Sequence, residues 1–465
     1  MQSVYPTGTT IYKPGQCMSG YTILSGFPGA VLIDMNGNEV RKWDIQASVP
    51  NKILPGGHLL TAMRGKGRNV NTMVQMDWDG NVVWKFDQYE QVPVGPLGPP
   101  PEDVMRPKGP PLGEKKWTAA QHHDFQREGN SVGYYTPELE PKVENGKTLV
   151  LANTITHNPK INSNPLMDDS IYEISWDGEI LWQWIANEHV DEMGFNDEEY
   201  KSMQSKKVPQ IDWLHTNCAS YLGPNKWYDN GDERLHPDNI IFSSRSANIL
   251  GIIEKKTSKI VWQIGPRYDE TPELEKLGWI IGPHHAHMIP IGLPGAGNIL
   301  VYDNGGSAGY GRPDPVNRFS YNRDYSRVLE FNPVTLEIIW EYSPRTLGYF
   351  FMDSMREYSP YVSSAQRLIN NNTLITEGGN GRLIEVTPEL QVVWEYISPV
   401  SLISHEGPPG LPPQKVPNTQ IYRAYRVPYE YVPQLDKPQE EAVIPPDNKC
   451  IRFSGSGDNF KAHVV

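Results

Sequence analysis

The chain has 465 residues, with 42 Lys plus Arg against 55 Asp plus Glu for a formal charge of -13, and only 38% are hydrophobic. This acidic balance without a basic face disfavours nucleic acid as a partner, and no run of about 18 apolar residues is present to span a bilayer. Thirteen Trp, 24 Tyr and 11 Phe can build a large core, so the chain is not a disordered one. Three Cys cannot form a disulfide framework, and no CxxC pair is present for zinc or redox chemistry. The amino terminus, Met1 to Pro6, has neither a basic nor an apolar signal-peptide region. The expected location is therefore the cytoplasm, or the periplasm where a signal has been removed.

In chain order, one hairpin pattern recurs six times and ends each time on Trp. It runs Asp34 to Trp43, Asp77 to Trp84, Ser175 to Trp182, Lys255 to Trp262, Asn332 to Trp340 and Thr387 to Trp394. Three of these carry an Asn-Gly or Asp-Gly turn between apolar residues, a strong hairpin signal. Strand pairs lie between the hairpins, as at Lys52–Thr61, Gly146–Ala152, Asn298–Asp303 and Arg367–Thr376. Two such strands plus a hairpin make a four-stranded unit, and radial repetition of that unit predicts an all-β, six-bladed β-propeller. Trp spacings of 41, 98, 80, 78 and 54 mean loops of unequal length, which admits five to seven blades. The six Trp are expected at equivalent places, packing blade against blade. Short helices are predicted at 196–203 and 273–277. The Pro-rich stretches Pro93–Pro111, Pro408–Pro417 and Pro433–Pro446 are read as irregular loops. The whole of 1–465 is read as a single propeller domain, with 1–30 and 430–465 as peripheral terminal segments.

Three His clusters share one place in the repeat, just before an inner strand: Gln121-His122-His123-Asp124-Phe125, Asp212-Trp213-Leu214-His215-Thr216-Asn217 and Gly282-Pro283-His284-His285-Ala286-His287. Inner strands of a propeller meet around one axis, so these clusters are expected to converge at one end of the central channel. His58, His157, His189, His236 and His405 lie in turns or loops and are read as structural or solvated. Arg245, Arg327 and Arg382 accompany the middle and last units. In an acidic protein, Arg beside channel His makes an anion site, because its fork matches sulfate, phosphate or carboxylate oxygens.

The motifs His122–Phe125, Trp213–Asn217, Ser243–Arg245, Tyr302–Gly306 and Arg327–Glu330 together resemble the bacterial arylsulfate sulfotransferases, which need no nucleotide sulfate donor. The resemblance spans about Tyr21 to Tyr425. It implies a six-bladed propeller that moves sulfuryl between phenols through a sulfated His, with no cofactor. It assigns His215 and His285 as active-site histidines, with His284 the alternative to His285 if the register slips by one. Arg327 takes the role of sulfate clamp, and Tyr422 that of a late active-site Tyr. Where the family has its nucleophile, in a Gly-Gly-x-x-His-Leu setting, this chain reads Gly378-Gly379-Asn380-Gly381-Arg382-Leu383. A guanidinium stays protonated and cannot attack.

Three functions follow. The first is a sulfotransferase-like enzyme acting on a phenolic or other small anionic or aromatic substrate. Its catalytic residues would be His123, His215, His285, Arg327, Arg382 and Tyr422, with Asn217, Arg245 and His284 binding substrate. The second is a metal-dependent lyase, hydrolase or oxidoreductase, with His123, His215, His285 and His287 holding a transition metal, which suits nitrogen ligands. His285 and His287 are two apart, and alternate residues of a strand share a face. Asp124, Asn217 and Asp303 are candidate partners for the ligating imidazoles. The third is a non-catalytic binding propeller.

Overall fold

The computed structural model describes residues 6–26, 29–65, 70–94, 113–206, 210–313, 319–349, 351–399, 401–405, 414–445, 451–454 and 461–464. Strand makes up 41% and helix 10%, and the six sheets of four or five strands are arranged as a β-propeller. Blade 1 is built outward from Ile421–Val427 through Tyr21–Gly26 and Gly29–Ile33 to Glu39–Trp43. Blades 2 to 6 start at inner strands Lys52–Leu54, Gln121–Arg127, Thr216–Tyr221, His284–Met288 and Ser364–Arg367. Their hairpin strands are Val82–Phe86, Ile180–Ile185, Ile260–Ile264, Ile338–Tyr342 and Val392–Ile397. Among the described residues no helix is long and apolar enough to cross a membrane.

Both ends of the chain are sewn into the ring. Ile421–Val427 pairs with Tyr21–Gly26, setting Tyr425 opposite Ile23, so late residues supply the inner strand of blade 1. Gly8–Tyr12 pairs with Val392–Ile397 and adds a fifth strand to blade 6. The 1–30 segment, expected at the periphery, thus gives one strand each to blades 6 and 1. Beyond Val432, the described residues add a bridge between Tyr12 and Val443.

Middle strands read as unbroken apolar runs because each packs a neighbouring blade on both faces; Ile249–Ile253 is buried at every position. The two predicted helices form at Asp197–Ser205 and Pro272–Leu277. Asn196 and Glu199 close a reciprocal cap at the start of the first. The Pro-rich residues 95–112 and 406–413 lie outside the described residues. Their flanks are more regular than expected: Glu90–Pro93 pairs with Lys115–Thr118, and Ser401–His405 with Gln414–Asn418.

The hairpin Trp residues tie blade to blade by a repeated hydrogen bond. An indole N–H donates to a turn carbonyl of the next blade from Trp84 to Trp176, Trp262 to Pro333, Trp340 to Pro388 and Trp394 to Met35, at 2.8, 2.9, 3.1 and 2.8 Å. Blade 3 keeps its Trp at the expected place but latches through another, and blade 1 departs from the expected equivalence. In blade 3 Trp184, not Trp182, donates, to Ser258 at 3.1 Å. In blade 1 the register places Arg41 where the other blades have Trp, because Arg41 faces Leu32 just before the shared bulge. Its guanidinium donates to the Trp78 carbonyl at 2.7 Å. Trp43 stands two residues further on, at the position of Trp184, opposite Ala30. All six interfaces carry a latch, but the repeat is one of bond rather than of residue.

Candidate active site

Three inner strands open with the same distortion. His123, His215 and His285 have φ of 63°, 50° and 53°, the left-handed region that costs a non-glycine residue about 1–2 kcal/mol. Each lies at an irregularity in the pairing of the first two strands, between Gln121 and Phe125, at Thr216–Cys218 and between His284 and His287. Strain repeated at one place in three successive blades is held there by the fold, and such strain gathers at functional sites. Here it turns ring side chains toward the channel rim.

At the rim between blades 3 and 4, His123 Nε2 and His215 Nε2 face each other at 3.2 Å. His215 Nδ1 meets Asp212 Oδ2 at 2.6 Å. The carboxylate accepts the Nδ1 proton of His215, which fixes the tautomer and leaves Nε2 as the basic nitrogen. Burial raises the Asp212 carboxyl, but its bond to His215 and the charges of His215 and His122 outweigh this and hold it low. His122 stacks obliquely on His123 and sets its edge against His215, with centroids 3.8 and 5.3 Å apart. Burial, then His215, pushes His122 down to about 3; burial and both neighbouring imidazoles lower His123 as well. Both are neutral at ordinary pH. Buried His122 Nε2, His123 Nδ1 and Asp212 Oδ1 have no hydrogen-bond partner among the described residues.

Basic groups stand beside this trio. Arg245, at the end of the second strand of blade 4, donates to the Ser307 carbonyl at 3.5 Å, its one side-chain hydrogen bond among the described residues. Burial lowers it, and the charge of Asp212 works the other way. Lys206 is lowered by burial too, feels both Asp212 and Arg245, and lies over the Tyr310 ring at 4.6 Å. His284 joins the group: after burial, Arg245 and His215 are among the charges that depress it, and its Nδ1 meets Asn304 Oδ1 at 2.7 Å. A cleft of about 400 Å³ opens along His122 and His123, lined also by Gln46, Arg64, Asn71 and Gln121.

His285 does not enter this cluster. Adjacent strand residues point to opposite faces, so His284 turns to the rim and His285 downward. Its Nδ1 meets the Ala365 carbonyl at 2.9 Å and its Nε2 the Tyr425 hydroxyl at 3.2 Å. His287 lies beside it, with Nδ1 on the His285 carbonyl at 2.8 Å and Nε2 on the Tyr134 hydroxyl at 2.9 Å. The expected ligand set of His123, His215, His285 and His287 is therefore split. The last two have both ring nitrogens engaged, and His122 takes their place beside the first two.

Asn217 and Tyr422 hold the frame. Asn217 donates to the Pro283 carbonyl at 2.7 Å and accepts from Ser243 at 2.8 Å, which joins blades 4 and 5 and leaves no side-chain group directed at a substrate. Tyr422 stacks on His123 with planes 9° apart, and its hydroxyl donates to the His123 and Asn217 carbonyls at 3.3 and 3.4 Å. Burial raises that hydroxyl, so it keeps its proton. Beneath lies a fully buried ion triad missed in the sequence. Asp124 takes Lys52 and Arg423, each at 3.0 Å, and Arg423 also donates to the Asn217 carbonyl at 2.5 Å. Asp124 thus braces the axis, and Asp212 rather than Asp124 partners His215.

Arg327 and Arg382 have other work. Arg327 pairs with Asp303 at 2.7 Å and donates to the carbonyls of Leu277, Gly278 and Trp279. That leaves Asp303 bound to arginine rather than to an imidazole. Arg382 bonds Glu395, Glu377 and Glu357 at 2.7, 3.1 and 3.2 Å. Neither bonds a histidine among the described residues. They occupy matching places, each opening the third strand of its blade opposite the acid that closes the second. Only Arg245 of the three arginines stands at the histidine cluster.

The chain is distantly similar to several solved structures. A protein of unknown function from Bacteroides caccae is 12% identical, over 88% of this chain and 99% of that one, with a TM-score of 0.41. The β-propeller domain of Myceliophteria thermophila Cps50 (Swd1) is 10% identical over 86% and 89%, with a TM-score of 0.36. Saccharomyces cerevisiae Sqt1 is 9% identical over 88% and 82%, at 0.33. No curated protein matches the sequence. The family model of the arylsulfotransferases matches residues 141–396, which takes in His215, Arg245, His284, Arg327 and Arg382 while His122 and His123 fall before it. That match covers more than half of the 465 residues, and the chain belongs to the arylsulfotransferase (ASST) family.

Proposed function

We propose that the chain, working as one propeller unit, transfers sulfuryl groups between small aromatic acceptors at the rim between blades 3 and 4. The observation that carries this reading is the Asp212–His215–His123 chain beside Arg245 and Lys206. His215 takes the nucleophile's part that Arg382 cannot. Its Nε2 lone pair attacks the sulfur of an aryl sulfate, the S–O(aryl) bond breaks, and the phenolate leaves with the electron pair. Asp212 stabilises the positive charge that the sulfated ring gains, while Arg245 and Lys206 hold the sulfuryl oxygens as their charge shifts. An acceptor phenol then attacks the same sulfur. Its O–H proton passes to His123 Nδ1, a buried nitrogen with no partner among the described residues, the N–S bond breaks to restore His215, and His123 then releases the proton to solvent through the cleft it lines. No step calls for a nucleotide or a metal.

Transfer from a chromogenic aryl sulfate to phenol tests this. His215→Ala is expected to cut the rate about a thousandfold and to abolish a sulfur-labelled enzyme intermediate. Arg245→Ala is expected to lose about a hundredfold in kcat/KM, while Arg327→Lys leaves turnover per folded molecule near wild type. A His215→Ala enzyme that keeps both its label and a tenth of the wild-type rate would overturn the assignment.

A further inference from the structure

The rim histidines have a geometry that sulfuryl chemistry does not require. His122, His123 and His215 each bring a ring nitrogen within 4.8 Å of the other two. We propose that these three imidazoles form a binding site for a divalent transition metal, of the zinc or cobalt type, with a fourth position open to the cleft.

Spacing is the first support. Zinc–nitrogen bonds of about 2.0–2.1 Å at tetrahedral angles put ligand nitrogens about 3.3–3.4 Å apart, and His123 Nε2 and His215 Nε2 stand 3.2 Å apart. Without a metal, two such atoms face each other and can share only one proton. Orientation is the second. Asp212 accepts the Nδ1 proton of His215 at 2.6 Å, the carboxylate–histidine arrangement that aims Nε2 at a metal and raises its basicity. The third is an unmet demand: His122 Nε2 is buried and lacks a partner among the described residues.

Nitrogen-only ligation favours zinc, cobalt, nickel or copper over magnesium or calcium. The surrounding charges refine the class. Asp212 attracts the cation; Arg245 and Lys206 oppose it and favour an anion in the fourth position. His284, depressed by burial and by Arg245, adds no charge at neutral pH. One consequence rests on the transferase reading. The metal would occupy the lone pair of His215 that attacks sulfur, so the loaded protein would be silent in transfer. The site itself stands on geometry alone.

Binding is read without substrate, on full-length protein lacking a His tag and stripped with chelator. Cobalt titration should give visible bands of a four- or five-coordinate ion, and calorimetry with zinc one site per chain. His122→Gln and His215→Gln should each weaken binding at least about tenfold, and Asp212→Asn by about 10–100-fold. His236→Ala should leave it unchanged. Circular dichroism and melting curves identify any variant that fails to fold, and Asp212→Asn, which removes no ring, is the reserve. Absence of saturable binding in wild type overturns the site, as does wild-type affinity in both the His122→Gln and Asp212→Asn proteins. A protein that transfers sulfuryl yet binds no zinc defeats the metal site alone. One that binds zinc and never transfers defeats the transferase reading alone.

Discussion

Two halves of one rim solve the same problem in opposite ways. Blades 5 and 6 close their two arginines at the start of the third strand onto acids: Arg327 on Asp303, and Arg382 on three glutamates. Blades 3 and 4 leave buried His122 Nε2, His123 Nδ1 and Asp212 Oδ1 without partners. A buried polar atom left unsatisfied costs about 1–3 kcal/mol, and left-handed backbone at His123 and His215 adds to that. Satisfied charge builds the wall, and the unsatisfied atoms are those of the proposed site. Arg382, which stands where the family resemblance places the nucleophile, falls in the satisfied half.

The sharpest way to break this comparison is to remove one group from each half. Arg382→Met strands Glu377 and Glu395 in a largely buried cluster, and breaking a buried pair on one side costs about 3–5 kcal/mol. His122→Leu deletes an imidazole that already lacks a partner, so stability should stay within about 1 kcal/mol of wild type or rise. Urea unfolding followed by Trp fluorescence reads both. Equal losses in the two variants would mean that the halves do not differ.

The fold was legible because it repeats. Six Trp hairpins in 465 residues announce a propeller, and four of the six Trp add to the expected blade-to-blade packing a hydrogen bond to the next blade. The exceptions at Trp43 and Trp182 escaped notice because the repeat conserves a donor, and a guanidinium or a Trp two residues on serves as well. The site was half legible. His123 and His215 stood out by shared position, but choosing between His284 and His285 needs the bulge that decides which one faces the rim. Asp212 was hidden by local geometry: three residues before His215, it reaches the ring only because the backbone is left-handed there. Arg423 comes from the far end of the chain, and only ring closure brings it to Asp124.

The halves should also answer pH with opposite slopes. His122 titrates at about 3 in the folded protein, below its ordinary 6.5, because burial and His215 disfavour the cation. Its contribution to stability is complete above 6.5 and is lost as pH falls from there toward 3. Glu357 is pushed up to about 9 from 4.5 by burial and then by Glu377. Its contribution is complete below 4.5 and is lost as pH rises toward 9. Relative to wild type, His122→Leu should therefore gain stability as pH drops below 6.5, and Glu357→Gln should gain as pH climbs above 4.5. Either slope is bounded by about 1.4 kcal/mol per pH unit. Chemical denaturation at pH 4.5, 6.5 and 8.5 reads the two trends; parallel slopes would contradict them.

The smallest expected effect applies the same contrast to two tryptophans. Trp340 and Trp182 sit at matching register positions, opposite Glu330 and Glu173, and both are half-buried. Their apolar losses on replacement by Phe should be similar. They differ in one bond: Trp340 donates to the Pro388 carbonyl at 3.1 Å, whereas Trp182 Nε1 is buried with no partner because Trp184 latches blade 3 to blade 4. A hydrogen bond of this kind is worth about 1 kcal/mol net, and an unpaired donor is itself a cost that substitution removes. Trp340→Phe should thus destabilise by about 1 kcal/mol more than Trp182→Phe in matched urea titrations. Both changes lie on the outer edge, away from the histidines, so neither should alter zinc affinity. Equal losses would show that the latch holds by ring packing alone, and a larger loss for Trp182→Phe would reverse the rule that separates the two halves of the rim.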